Sequence, residues 1–100
     1  MKQHILTSLA VMLILLLPAT VWAQAARTVS GTVSDELGEP LIGVSVTLPG
    51  RTGGVTTDID GNYRIAVPAG VSKIAFSYVR YNTLETAITS NRLDVSLEPS

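Results

Sequence analysis

From Thr28 onward, apolar and hydroxyl-bearing residues alternate in short bursts, each closed by Gly, Pro, Asp or Asn. Val29, Gly31 and Val33 alternate with Thr28, Ser30, Thr32 and Ser34, the pattern of a strand with one buried face. Ile42, Val44, Val46 and Leu48 make the clearest period-two run, opposite Gly43, Ser45 and Thr47. Val55–Thr57 is expected to pair with Tyr63–Val67 across the corner Asp58-Ile59-Asp60-Gly61-Asn62, with Tyr63, Ile65 and Val67 inward. Lys73–Val79 carries apolar residues on both faces and reads as a central strand. Leu84–Ile88 and Leu93–Leu97 complete the set. In the last of these, Asp94, Ser96 and Glu98 alternate with Leu93, Val95 and Leu97, which marks an edge strand with its charges outward.

The intervening residues are those that turns demand. In Asp35-Glu36-Leu37-Gly38 the Asp can bond its own backbone and Gly38 can take positive φ. Pro40 suits the start of a strand and not its middle. Pro49-Gly50, Gly53-Gly54 and Pro68-Ala69-Gly70 supply three further reversals, and Gly43 calls for a bulge or a close neighbour. No helical period is sustained after Ala26, and β-branched residues dominate. Seven short strands with these turns predict an all-β sandwich with Greek-key connections.

The first 25 residues stand apart. Lys2 precedes an apolar run, Ile5–Leu17, interrupted only by Thr7 and Ser8 and closed by Pro18. Ala23-Gln24-Ala25 offers a small-residue cleavage site, and Val21-Trp22-Ala23 a competing one. This layout predicts a helical secretory signal peptide over 1–25 and an exported domain over 26–100. The run of 13 residues falls short of the roughly 20 that span a bilayer.

Charge and composition narrow the chemistry. The exported part carries six basic and eight acidic residues, a formal net charge of −2, scattered without a basic stripe. Nucleic acid and anionic lipid are therefore poor partners. The chain has no cysteine, and its single histidine, His4, belongs to the leader. Imidazole- or thiolate-based nucleophilic catalysis and metal binding are excluded for the exported part, and no cofactor is expected. Asp58, Asp60 and Asn62 sit at the spacing of a calcium loop's opening. However, Gly61 falls at position four and Ala69 at position twelve, where that loop needs Gly at six and Glu at twelve. The four residues Asp58, Asp60, Gly61 and Asn62 are read as a structural turn. Tyr63, Phe76 and Tyr78 are assigned to the core, which leaves Tyr81, flanked by Arg80 and Asn82, as the candidate exposed aromatic or a backbone-capping tyrosine. Arg80, Tyr81 and Asn82 are the candidate interaction surface.

Three motifs in order, Gly31–Val46, Thr57–Tyr63 and Phe76–Tyr81, resemble the carboxypeptidase-D regulatory-like domain. The resemblance covers nearly all of 26–100. It implies a transthyretin-like, seven-stranded sandwich of the kind that follows the leader in SusC/RagA-type TonB-dependent outer-membrane transporters. In that family the module lies in the periplasm ahead of a TonB box, a plug and a barrel that imports glycans or peptides with a lipoprotein lid. Arg80 stands where the family usually has Gly, and Leu48-Pro49-Gly50 departs from its habit of a charge before that glycine.

The implied role is a non-catalytic periplasmic accessory module that contacts protein partners such as plug, barrel or periplasmic components. Membrane association would come only through a parent barrel. The stop at Leu97-Glu98-Pro99-Ser100 leads to the expectation of a transporter truncated before its TonB box. The alternative is an independent exported sandwich that binds a protein or carbohydrate through Arg80, Tyr81 and Asn82.

Overall fold

In a computed structural model, residues 25–100 are described. Residues 1–24 of the expected leader, with the cleavage site after Ala23, lie outside them. The described residues form seven strands: β1 (Arg27–Ser34), β2 (Ser45–Thr47), β3 (Gly54–Thr56), β4 (Asn62–Val67), β5 (Lys73–Ser77), β6 (Leu84–Ala87) and β7 (Val95–Ser96). They make two sheets, one ordered β4-β1-β7 and the other β3-β2-β5-β6. All neighbours are antiparallel except β1 and β7, which run parallel.

The alternation read from the chain is the alternation that packs. Val29 and Val33 of β1 and Tyr63, Ile65 and Val67 of β4 point into the core, while Thr28, Arg64 and Ala66 stay outside. From the other sheet come Val46, Ile74 and Phe76, each 0 % exposed. Phe76 meets Tyr63 edge to face with ring centroids 5.3 Å apart, an arrangement the aromatic quadrupole favours. Leu97, beyond β7, and Val44, before β2, are also sealed.

β5 lies between β2 and β6, the interior position its two-faced apolar pattern predicts, and β7 is an edge. The expected pairing of Val55–Thr57 with Tyr63–Val67 is not formed. β3 pairs with β2 (Val46 opposite Val55), and β4 pairs with β1 (Gly31 opposite Tyr63). The short link containing Gly50 and Gly53, both at positive φ, folds β3 back on β2. Thr57 then fixes the crossing to the other layer: its hydroxyl accepts from the Val44 amide at 2.9 Å and donates to the Leu41 carbonyl.

The long period-two run is also cut short. Gly43 takes φ 83°, so Leu41–Gly43 is a turn, β2 starts at Ser45, and Ile42 is turned out to 54 % exposure. β5 likewise ends at Ser77, which leaves Tyr78 half-buried and Val79 exposed.

Gly31 is needed for a different reason. A Cβ there would stand 1.9 Å from the Leu93 carbonyl oxygen, where the chain entering β7 crosses β1. The Tyr63 hydroxyl donates to that same oxygen at 2.5 Å. Burial, reinforced by the Asp94 carboxylate and opposed by Arg92, pushes the Tyr63 phenol up to about 12.

Candidate functional site

Three turns gather at the end of the sandwich where β1 and β5 finish and β4 and β6 begin. The first, Asp35–Glu39, and the second, Asp58–Asn62, are built alike. In each, one carboxylate oxygen of the leading Asp accepts two amides. For Asp35 they are those of Leu37 and Glu39, both at 2.9 Å; for Asp58 they are those of Asp60 at 3.0 Å and Asn62 at 2.9 Å. In each, the glycine three residues on donates to the carbonyl of that Asp and takes positive φ, 83° at Gly38 and 75° at Gly61. The leading amide then donates to the carbonyl four residues later, closing the loop. An Asx turn and a left-handed glycine cooperate in this way because the Asp side chain substitutes for a missing backbone acceptor.

The two loops abut. The Val33 amide donates to the Gly61 carbonyl at 2.8 Å, and a Cβ on Gly61 would stand 3.0 Å from Pro40 Cβ. Asp58, Asp60, Gly61 and Asn62 thus form one hydrogen-bonded corner fastened to β1 and to the Asp35–Pro40 loop. Among the described residues, no group of three or more His, Cys, Asp or Glu side chains is placed to hold a metal ion.

The third turn, Tyr78–Tyr81, carries the predicted surface residues. The Tyr81 amide donates to the Tyr78 carbonyl at 3.1 Å, and Arg80 adopts φ 69°, the only non-glycine among the described residues at positive φ. The backbone here is paired with the C-terminal residues: the Asn82 amide donates to Glu98 at 2.8 Å, and the Ser100 amide to Arg80 at 3.0 Å. Arg80 and Asn82 are exposed, whereas Tyr81 is half-buried against Tyr78, ring centroids 5.8 Å apart. Partial desolvation, then the carboxylates of Glu36 and Asp35, raise the Tyr81 phenol above its ordinary value.

Sequence reasoning missed the apolar residues at these turns. Leu37 is 80 %, Ile59 77 % and Val79 74 % exposed. The signal was present: a large aliphatic residue between the Asp and Gly of a tight turn has no core to reach. At the opposite end, an open groove of about 590 Å³ runs between the edges of β3 and β4, lined by Leu48, Val55, Ile65 and Pro68. Arg51 is its one ionisable side chain, so it holds no acid–base pair.

The described residues thus make an all-β, two-sheet module with hydrogen-bonded turns gathered at one end. Residues 29–100 match the family model of the CarboxypepD_reg-like domain, and the chain belongs to that family, which is regulatory and not catalytic.

It is 43 % identical over 74 residues to one TonB-dependent receptor of Formosa agariphila, covering 73 % of this chain and 7 % of that protein. It is 42 % identical over 84 residues to a second from the same organism, covering 83 % and 8 %. The TonB-dependent receptor SusC of Bacteroides thetaiotaomicron is 38 % identical over 63 residues, 63 % of this chain and 6 % of that one. The chain thus spans less than a tenth of the length of these relatives, and it aligns with their N-terminal regions. Among solved structures, a chain of a type II cohesin–X-dockerin complex from Acetivibrio cellulolyticus matches with TM-score 0.52 and 25 % identity, over 72 % of this chain and 51 % of that one.

Proposed function

We propose that this chain is the periplasmic accessory module of a SusC-type TonB-dependent transporter for glycans or peptides, exported by a leader over 1–25 that is cleaved after Ala23 or Ala25. The module does no chemistry; it makes protein contacts with the plug, the barrel or periplasmic components of the transport system. Membrane association comes only through the barrel of such a parent. The sheet orders β4-β1-β7 and β3-β2-β5-β6 support the finer assignment of the fold as a transthyretin-like Greek key. The observation that carries the functional reading is the identity of 42–43 % to TonB-dependent receptors over 73–83 % of the chain. The solved match, a chain from a cohesin–X-dockerin complex, adds that a similar fold occurs within a protein–protein assembly.

Exchange of the corresponding segment of the Bacteroides thetaiotaomicron SusC for residues 26–100 tests it. The chimera should restore growth on that receptor's substrate well above a strain deleted for the segment. A chimera that reaches the outer membrane in normal amount yet grows no better than the deletion would defeat the proposal.

A further inference from the structure

Leu37, Ile42, Ile59 and Val79 are the large hydrophobic side chains exposed among the described residues, and all four lie in turns at one end of the sandwich. The turns are contiguous. Pro40 approaches Gly61, the Gly43 amide donates to the Thr57 carbonyl at 3.0 Å, and a Cβ on Gly43 would stand 3.8 Å from the Tyr78 ring. Isolated exposed aliphatics are ordinary, but four on adjoining turns of one small module form a patch of the kind that proteins reserve for partners.

The charge around that patch has one sign. Six of the eight carboxylates, Asp35, Glu36, Glu39, Asp58, Asp60 and Glu98, stand at this end, with Arg80 as its one basic residue. Arg27, Arg51 and Lys73 lie at the opposite end, and Arg64 and Arg92 flank Ser30 half-way along β1. The two ion pairs among the described residues, Lys73–Glu85 at 3.9 Å and Arg92–Asp94 at 3.1 Å, neutralise the other two carboxylates. None of the six at the apolar end has a cationic partner among the described residues. A concentrated negative field repels phosphate-bearing surfaces and attracts cationic ones.

We propose that this end, from Asp35–Gly43 across Asp58–Gly61 to Tyr78–Arg80, docks a lysine- or arginine-rich segment of a partner protein that inserts apolar side chains among Leu37, Ile42, Ile59 and Val79. The inference rests on reading the module as an interaction domain and names the chemistry of its partner. The Asx loops suit the task, because a rigid turn presents Leu37 and Ile59 at little entropic cost on binding.

The test uses the full chain, exported and purified from the periplasm, and three synthetic twelve-residue peptides: alternating Leu/Lys, Leu/Ser and Leu/Glu. Binding is followed by calorimetry and by amide chemical shifts. The Leu/Lys peptide should bind, shift the amides of the three turns, and weaken several-fold as salt rises and the Debye length shrinks. Leu37→Ser with Ile59→Ser should weaken it about tenfold or more, equivalent to about 1.4 kcal/mol, while Arg51→Ser at the far end leaves it unchanged.

Equal binding of the Leu/Ser peptide, shifts confined to the β3–β4 groove, insensitivity to the double substitution, or concentration-dependent dimerisation through the basic end would each overturn the proposal. A SusC chimera that supports growth equally well with and without Leu37→Ser and Ile59→Ser would remove this surface and leave the accessory role standing. A chimera that fails from the outset strikes the accessory role instead.

Discussion

Arg80 holds φ 69° where an L side chain crowds its own backbone, at a cost of about 1–2 kcal/mol. The resemblance to a family with glycine here is therefore kept in the backbone and broken in the side chain. Arg80→Gly should raise stability by about 0.5–1 kcal/mol, the strain relieved less the extra freedom glycine gives the unfolded chain. Urea denaturation of the purified chain would measure it, and a loss of stability would show that the Arg80 side chain contributes more than its strain costs.

Tyr63 makes the opposite case, because its ordinary inward position conceals a polar task. Tyr63→Phe removes the donor to the Leu93 carbonyl and should cost about 1–2 kcal/mol. The unfolded phenol ionises near 10 and the folded one near 12, so the folded form keeps its proton longer. Stability from this group is fully present below pH 10 and is lost as pH rises from 10 to 12. The decline over that interval should be shallower in the phenylalanine variant. Alternation identified Tyr63 as buried, but the identity of its acceptor depends on where β7 crosses β1, and no local pattern encodes that.

Elements were legible wherever a single burial face governs them. β1, β4 and β5 follow period two, and the turn residues place their ends. Partnership was harder. Val55–Thr57 and Tyr63–Val67 look like a hairpin because a five-residue corner separates them, yet that corner joins two layers. The deciding residue is Thr57, a buried polar side chain at 4 % exposure that an apolar count passes over. Its hydroxyl pairs the Val44 amide and the Leu41 carbonyl, two groups that no strand ladder satisfies. Thr57→Val keeps the shape and strands both, so a loss of about 2–4 kcal/mol is expected, whereas Thr57→Ser should recover most of it. Thermal melts of the two variants would separate the hydroxyl from the methyl. If valine and serine melt together, the crossing is held by packing. The same blindness to tertiary partners hid the surface at the turns: the Asp-x-x-Gly spacing appears twice, at Asp35 and Asp58, but their adjacency comes from the Val33–Gly61 and Pro40–Gly61 contacts.

At the scale of the molecule, a single small core carries the fold without a disulfide, since the chain has no cysteine. A core of this size supplies only about 3–5 kcal/mol. Phe76 is the largest wholly buried side chain, it lies on a strand with neighbours on both sides, and it meets Tyr63 from the opposite sheet. Truncating a buried phenylalanine to alanine costs about 3–5 kcal/mol, as large as the entire margin. Phe76→Ala should therefore leave the exported chain largely unfolded at 25 °C, with collapsed amide shift dispersion, while Phe76→Leu should fold and melt several degrees lower. If the same Phe76→Ala change placed in a SusC chimera still supports growth, the neighbouring parts of the receptor must supply the missing stability by binding the folded form, as mass action allows. Such a rescue would be thermodynamic evidence that the module's surface is engaged by its neighbours. Equal failure in isolation and in the chimera would mean that the module stands on its own core alone.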